Sequence, residues 1–219
     1  MKKTLASAMM AAGILTVGLG TIGGAAAAES TESPTHLTVN VRNYAQLDRK
    51  TLVRAGAVAK RRLQKAGVEV TIVVLDPDEK YQEGVTQGSL NFSIKVLSRE
   101  MTEKLGLPTT RMGLAPGLDE DLDRTEAFVF AQVAADLARK QADPGLTEIL
   151  GHAMAHEIGH LFNLCHGPQG IMHGDWDEKD LYNMSMGRLN FSREEAAQIR
   201  AEVSRRTRQS ATVEMASLR

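Results

Sequence analysis

Two histidines and a glutamate have the residue types and spacing of a metal-dependent hydrolytic site. His156 and His160 are four positions apart, and Glu157 directly follows the first of them. On an α-helix, residues four apart lie on one face about 6 Å from each other along the axis, so both imidazoles can reach one metal ion. Glu157 would point to the side of that face and could accept a proton from an attacking water molecule without binding the metal. Because imidazole suits Zn²⁺, the pattern predicts a catalytic zinc ion with Glu157 as general base.

A catalytic zinc site needs a third protein ligand and keeps its fourth position open. His152 lies on the same helical stripe, but it is about 12 Å along the axis from His160, too far for both to bind one ion at about 2 Å. His166 follows Asn163, where the helix is expected to end, and a sharp turn there would bring it back over His156 and His160. The predicted ligands are therefore His156, His160 and His166, and His152 is predicted to be a core or supporting residue.

Other residues near His166 offer alternative third ligands. Cys165 is adjacent to it, and thiolate binds zinc well. An acidic patch follows, made up of Asp175, Asp177, Glu178 and Asp180. A carboxylate ligand from this patch would normally stand on a helix, but the residues after Glu178 do not have a clear helical pattern. A purely structural zinc site usually has four Cys or His ligands, and only three good ones are present.

The segment from His156 to His166 resembles the metzincin signature HExxHxxGxxH. Gly170, Ile171 and Met172 resemble the Met-turn, in which a methionine packs beneath the metal. The short link between His166 and Met172 is similar to that of matrixins. Residues 155–176, with a tryptophan at 176, resemble a group of exported bacterial matrixin-like proteins, and the resemblance extends more weakly to the early strand–helix–strand segment and the last helix.

This resemblance implies a fold and an activity. The fold would be a metzincin-like domain with a mixed sheet, a long active-site helix and a small helical C-terminal subdomain. The substrate cleft would lie between an N-terminal subdomain (36–163) and a C-terminal subdomain (164–219). The implied activity is zinc-dependent hydrolysis of peptide bonds in a peptide or protein substrate, and Trp176 is expected to pack under the site.

Three positions depart from the family pattern. Asn163 replaces the usual glycine, which is tolerable because Asn is enriched in the left-handed region. Gly167 stands where matrixins have serine, and Gly174 stands where some metzincins have tyrosine. The group that stabilises the developing oxyanion is therefore open: zinc itself and His173 are the candidates.

Periodicity, caps and turn residues predict the elements that must position this site. Strands are predicted over 37–41, 68–75, 91–97 and 127–130, and helices over 48–66, Ala131–Lys140 and 193 to about 205, the last capped by Ser192. Asp143 and Pro144 predict the start of the active-site helix, as N-cap and first helical residue, and Asn163 its end. Early strands, one long central helix and a helical tail indicate an α+β domain.

The first 28 residues have the features of a secretory signal peptide. Two lysines are followed by an apolar run over 5–22 and by four alanines ending at Ala28. A retained membrane anchor is the alternative, but the run is rich in Ala, Gly and Thr and is weakly hydrophobic for a membrane span. Cleavage after Ala28 would leave 29–219 as a single zinc metallopeptidase domain, secreted or periplasmic, that is not membrane-bound.

Composition argues against several other partners. The chain has 26 Lys+Arg and 27 Asp+Glu; without Lys2 and Lys3 the balance is 24 to 27, a net charge of −3. Nothing in this balance suggests nucleic acid or an anionic membrane surface as a partner, and the basic face of the 48–66 helix is interpreted as solvated. The acidic loop 117–126 could hold calcium, but it lacks a glycine turn at the right spacing and is interpreted as a solvated loop. With one cysteine, the chain can form no internal disulfide.

The sequence thus predicts an exported zinc-dependent endopeptidase in which Glu157 takes a proton from water and returns it to the leaving amine. Two other functions remain open. The protein could be an exported zinc-binding protein that has lost its peptidase activity, although an intact Glu157 argues against this. It could also be a zinc hydrolase acting on a non-protein amide.

Overall fold

The computed structural model describes residues 36–79, 90–115, 125–141 and 143–217. The predicted signal peptide, the polar segment 29–35 and most of the acidic loop (117–124) lie outside the described residues. All described residues belong to one compact unit, Ser33–Arg219. None of the described helices is long and apolar enough to cross a membrane.

One five-stranded sheet forms a layer of the fold. Its strands are β1 (His36–Asn43), β2 (Glu69–Leu75), β3 (Leu90–Leu97), β4 (Gly113–Leu114) and β5 (Glu126–Phe130). The order is β2-β1-β3-β5-β4, in which β4 is antiparallel to β5 and the other pairings are parallel. Leu37, Val39 and Val41 of β1 are fully buried, as expected for a parallel strand in the interior of a sheet.

Six helices complete the described structure. They are α1 (Arg49–Lys65), α2 (Arg99–Lys104), α3 (Ala131–Lys140), α4 (Leu146–Leu161), α5 (Glu178–Ser185) and α6 (Arg193–Ser217). Helix α4 packs against α1, α3 and β5, and twelve of its sixteen residues are buried. A helix that is buried on all sides lies at the centre of the core. The mixed sheet and the long central helix confirm the predicted α+β class.

Local signals determined most element boundaries correctly. Asp48 caps α1 by accepting from the Thr51 amide, and Gly67 follows that helix with φ +88°. Asn163 ends the α4 segment with φ +63°, as predicted for a residue in the left-handed region. Ser192 accepts from the Glu195 amide at the start of α6.

Four predictions need correction or addition. Helix α4 does not begin at Asp143 and Pro144: Gly145 is its N-cap, because the Gly145 carbonyl accepts the first helical hydrogen bonds. Residues Glu178–Ser185 do form a helix, because an Asp177–Asp180 capping box stabilises its first turn. Helix α6 extends well beyond residue 205. The short elements α2 and β4 were not predicted.

Candidate metal centre

Three imidazoles converge at the end of α4. The Nε2 atoms of His156 and His160 are 3.0 Å apart, and the Nε2 atom of His166 is 3.2 Å from the first and 3.1 Å from the second. Two nitrogens bound tetrahedrally at about 2.0–2.1 Å from zinc are about 3.3 Å apart, close to these values. Among the described residues, His156, His160 and His166 form a group that could hold a metal ion.

Backbone carbonyls orient two of these rings. The Nδ1 atom of His156 is 2.7 Å from the Ile171 carbonyl, and that of His160 is 2.8 Å from the Leu164 carbonyl. A carbonyl can only accept, so Nδ1 carries the proton and Nε2 presents its lone pair. Two acceptor nitrogens that face each other repel unless a cation lies between them. This donor set therefore fits a metal ion.

Burial keeps the same two rings neutral. Desolvation and, to a smaller extent, the neighbouring His160 lower the pKa of His156 to about 3. Desolvation also lowers the pKa of His160, while its bond to the Leu164 carbonyl opposes that change. A metal ligand must be the neutral imidazole, so the fold maintains the protonation state that a metal requires.

The turn after α4 delivers His166 to the site. Asn163 takes the left-handed conformation and reverses the chain. Residues of α6 hold this turn through two hydrogen bonds. The Gln198 side chain donates to the Asn163 backbone carbonyl at 3.0 Å, and the Asn163 side-chain amide donates to the Glu202 carboxylate at 3.0 Å. Arg206 donates to the Leu161 carbonyl at 2.5 Å. The third histidine is thus positioned by contacts with a helix distant in sequence.

Met172 and Trp176 pack beside the histidines, as predicted. Met172 is fully buried against Gly159, where an added Cβ would be 2.5 Å from its sulfur. The Trp176 ring meets the His156 ring edge to face at 5.9 Å, and its indole N–H donates to the Ile171 carbonyl at 3.2 Å. The same carbonyl accepts from His156, so Trp176 supports one of the three rings.

Glu157 is buried next to the three histidines. It is 3% exposed, and its Oε2 atom has no hydrogen-bond partner among the described residues. Desolvation raises the pKa of this carboxyl to about 8, and the positive charge of Arg111 partly opposes the rise. A buried carboxyl group whose pKa is raised this far by desolvation, beside a cluster of potential metal ligands, is a candidate functional group.

Strand β4 brings its backbone up to this carboxyl group. A Cβ added at Gly113 would lie 2.4 Å from the Glu157 Oε1 atom, so only glycine allows this approach. Gly113 and Arg111 were not identified from the sequence. No local pattern signals them, because β4 is two residues long and meets α4 only in the tertiary structure.

The histidines and Glu157 open into one cavity of about 690 Å³. Residues 110–115 line one side, Val133 and Leu137 of α3 contribute apolar surface, and residues 164–166 and 173–176 complete the wall. Arg111 and Asp175 are exposed in this lining. A cavity of this volume has room for a ligand beside the histidines.

The alternative ligands lie apart from the three-histidine group. Cys165 is exposed and, like the acidic patch, is not among the described residues whose ligand atoms converge. Buried His152 binds the Glu148 carbonyl through Nδ1 at 2.8 Å, and its ring meets Trp176 edge to face. It is therefore a supporting residue, as predicted.

His173 also lines the cavity, with Asp180 behind it. The His173 Nδ1 atom is 2.5 Å from the Asp180 Oδ2 atom, and Asp180 is 5% exposed. The sequence raised His173 as a candidate for contact with substrate but did not identify its partner. Asp180 instead appeared there as one member of the acidic patch.

Comparisons with known proteins find similarity in structure alone. No protein-family model and no curated protein sequence matches the chain. Among solved structures, the fold is similar to that of an archaemetzincin from Methanopyrus kandleri at 16% sequence identity. That match covers 80% of this chain and 99% of the other, with a TM-score of 0.47. Similarity at this level does not identify the role of any residue.

Proposed function

We propose that this protein is an exported zinc-dependent endopeptidase. One observation carries the proposal: three imidazole Nε2 atoms converge within 3.0–3.2 Å in a cavity that they share with the buried carboxyl group of Glu157, whose Oε2 atom has no partner among the described residues. The metzincin-like spacing of His156, His160 and His166 supports it independently. The substrate is a peptide or protein that enters the cavity as an extended chain.

The chemistry divides between the ion and the chain. His156, His160 and His166 would hold the ion through their Nε2 atoms. Zinc bound there would supply a Lewis acid to polarise the scissile carbonyl and make the attacking water more acidic. Glu157 accepts a proton from the attacking water and returns it to the leaving amine when the C–N bond breaks. The apolar surface of Val133 and Leu137 helps to keep bulk water from the reacting bond.

The test separates metal binding from proton transfer. Protein purified without chelator is expected to carry about one zinc per chain and to hydrolyse a peptide library, with loss of activity in chelator and recovery with zinc. Glu157→Gln should keep zinc and fold but lose roughly 10²–10⁴-fold in kcat, because an amide does not accept the proton. Glu148→Gln is the matched control, because Glu148 is on the same helix but does not line the cavity.

Each contrary result has a distinct meaning. Folded protein without any transition metal would falsify the zinc assignment. Equal activity in Glu157→Gln and wild type would exclude Glu157 as the base. Zinc in both proteins with turnover in neither would favour a binding protein without peptidase activity. Hydrolysis of non-peptide amides alone would favour the other zinc-hydrolase class.

Export is proposed from the sequence of residues 1–28. The basic start, the apolar run and the small residues before Glu29 support removal of a signal peptide. N-terminal sequencing of protein recovered outside the cytoplasm should begin at Glu29. Recovery of the intact chain in the membrane fraction would instead support a retained anchor.

A further inference from the structure

His173 is held rigidly next to the metal centre without belonging to it. Its amide donates to the Gly170 carbonyl at 3.1 Å, and it forms a β-bridge with Gly167, the residue after His166. The next residue, Gly174, packs against the His166 ring. His173 nevertheless lies outside the group of three histidines whose nitrogens converge. It therefore faces the same cavity from a fixed backbone, free of metal coordination.

Asp180 determines which ring nitrogen can meet a ligand. Its carboxylate is buried and is held by the capping box at the start of α5, where the Asp180 amide donates to Asp177 at 2.9 Å. Since an ionised carboxylate only accepts, the bond of 2.5 Å means that His173 Nδ1 carries a proton. The side chain of His173 is 26% exposed and lines the cavity, so Nε2 is the nitrogen left to bind a molecule there.

The charges of this pair suit a negatively charged ligand atom. When both ring nitrogens are protonated, the buried carboxylate compensates the positive charge of the ring, and Nε2 is a charge-assisted hydrogen-bond donor. Peptide hydrolysis places negative charge on the former carbonyl oxygen when water adds to the carbonyl carbon. A donor fixed in the lining of the same cavity would lower the barrier if it meets that oxygen, because it needs no reorganisation when the charge develops.

We propose that His173 is a further catalytic residue, which donates a hydrogen bond from Nε2 to the substrate oxyanion, and that Asp180 is its positioning residue. This inference rests on the proposed peptidase function. Water oxygen bonds to the carbonyl carbon, the π electrons move to the carbonyl oxygen, and they return when the C–N bond breaks. The His173 protons stay on the ring throughout, so Glu157 alone transfers the proton from water to amine.

Two substitutions at this position separate catalysis from structure. In His173→Asn the amide nitrogen replaces Nδ1, so the bond to Asp180 is retained and the donor at Nε2 is lost. In His173→Gln the longer amide reaches the position of Nε2 and gives up the bond to Asp180. If His173 is catalytic, the His173→Asn variant should lose roughly 10²–10³-fold in kcat with KM little changed, and the His173→Gln variant should retain more activity than His173→Asn. A structural role predicts the opposite order.

Binding provides a readout that does not depend on turnover. A phosphinic peptide carries a tetrahedral anionic centre like the attacked carbonyl, whereas a product peptide does not. Calorimetry on zinc-loaded protein should show that His173→Asn lowers the affinity for the phosphinic peptide by about the same factor as it lowers kcat. The affinity for the product peptide should stay within about threefold of wild type. His36→Asn is the control, because that ring binds Thr71 on the sheet and does not line the cavity.

The wild type allows a test without substitution. In the ¹⁵N NMR spectrum of the histidine rings, His173 is identified by its strong Nδ1 hydrogen bond to the Asp180 carboxylate. The ¹⁵N chemical shift of its Nε2 atom should change when the phosphinic peptide binds. No change there, or kcat of His173→Asn within threefold of wild type, overturns the role of His173. Zinc-loaded wild type that neither hydrolyses peptides nor binds the phosphinic peptide overturns the peptidase function itself.

Discussion

At the residue scale, the candidate site depends on which nitrogen each histidine exposes. The carbonyls of Leu164 and Ile171 bind Nδ1 of His160 and His156, so the segments that provide these carbonyls fix the rings. Outer bonds of this kind set tautomer and orientation in metal sites and strengthen metal binding. With His166, three histidine Nε2 atoms converge, and a metal ion could bind to them without rearrangement of α4.

The third ligand can be tested by comparing two alanine substitutions. His166→Ala should weaken zinc binding by more than the roughly 10–100-fold that loss of an outer hydrogen-bond partner costs, because it removes a direct ligand. His152→Ala should leave affinity near that of wild type, although it creates a cavity in the core and lowers stability by about 1–3 kcal/mol. Competition with a chromophoric chelator measures both affinities. Loss of zinc in His152→Ala and retention in His166→Ala would contradict the assignment.

Gly113 is predicted to control where the Glu157 carboxyl group lies. Gly113→Ala forces that carboxyl group to move, since a Cβ would be 2.4 Å from Oε1. A displacement of about 1 Å in a reacting group can cost roughly 10²-fold in rate, so kcat should fall by about this factor while zinc content is unchanged. Gly145→Ala is the matched control, because nothing lies within 4 Å of its added Cβ. Equal kcat in the two variants would contradict the prediction.

At the scale of elements, α6 acts as a brace for the end of α4. Glu202 binds Arg205 and Arg206, accepts from Asn163, and so joins α6 to the turn that leads to His166. Arg206 also stacks its guanidinium against the rings of Phe92 and Phe162. The position of the candidate metal ligand after the turn therefore depends on α6, which follows α5 in the chain.

This brace predicts a pH-dependent contribution to stability. The hydrogen bond from Arg205 comes first among the causes that lower the pKa of Glu202 to about 2, followed by Arg206. The pKa of Glu202 is lower in the folded state than in the unfolded state, where it is about 4.3. The stabilisation is therefore complete at a pH above the unfolded pKa and is lost as the pH falls through the folded pKa of about 2. Glu202→Gln should therefore lower stability by about 1 kcal/mol, or about 2–4 °C in Tm, at neutral pH.

Thermal unfolding across pH measures this contribution. The Tm difference between wild type and Glu202→Gln should shrink from about pH 5 downwards and vanish only below the folded pKa of about 2. Glu194→Gln provides the control, as Glu194 is exposed in the first turn of the same helix. A difference that is independent of pH would mean that the loss comes from packing, not from the charge of Glu202.

At the scale of the whole molecule, the metal is expected to stabilise a site that is already folded. Helix α4 and its neighbours have an apolar core of their own, and backbone carbonyls orient two of the ligand rings. Ligand binding to the folded state stabilises it by about 2.7 kcal/mol at a free metal concentration of 100 Kd. Chelation should thus lower Tm by about 5–10 °C without abolishing the helical circular-dichroism signal at 25 °C.

His166→Ala provides the control for this measurement. Its Tm should be nearly independent of zinc and chelator, because its site lacks a ligand. Complete loss of helical signal on chelation would indicate instead that the fold forms only with the metal. An unchanged Tm in wild type would argue that no ion binds to the folded state.

The sequence by itself determined what depends on spacing along the chain. The period of α4 places His156 and His160 on one face, Asn163 ends the helical segment, and the short distance to His166 allows the return. Alternation of apolar and polar residues and helix-capping residues located most of the strands and helices, because neighbours within a few residues decide local backbone geometry.

Only the tertiary structure decided which distant groups meet at the site. The approach of Gly113 to Glu157, the pairing of His173 with Asp180 and the brace from Glu202 to Asn163 join residues from different elements. It also distinguished His166 from Cys165, because the His166 Nε2 atom converges with those of His156 and His160 and the Cys165 sulfur is not in that group. Such contacts leave no periodic trace in the sequence, because they arise from the packing of whole elements against one another.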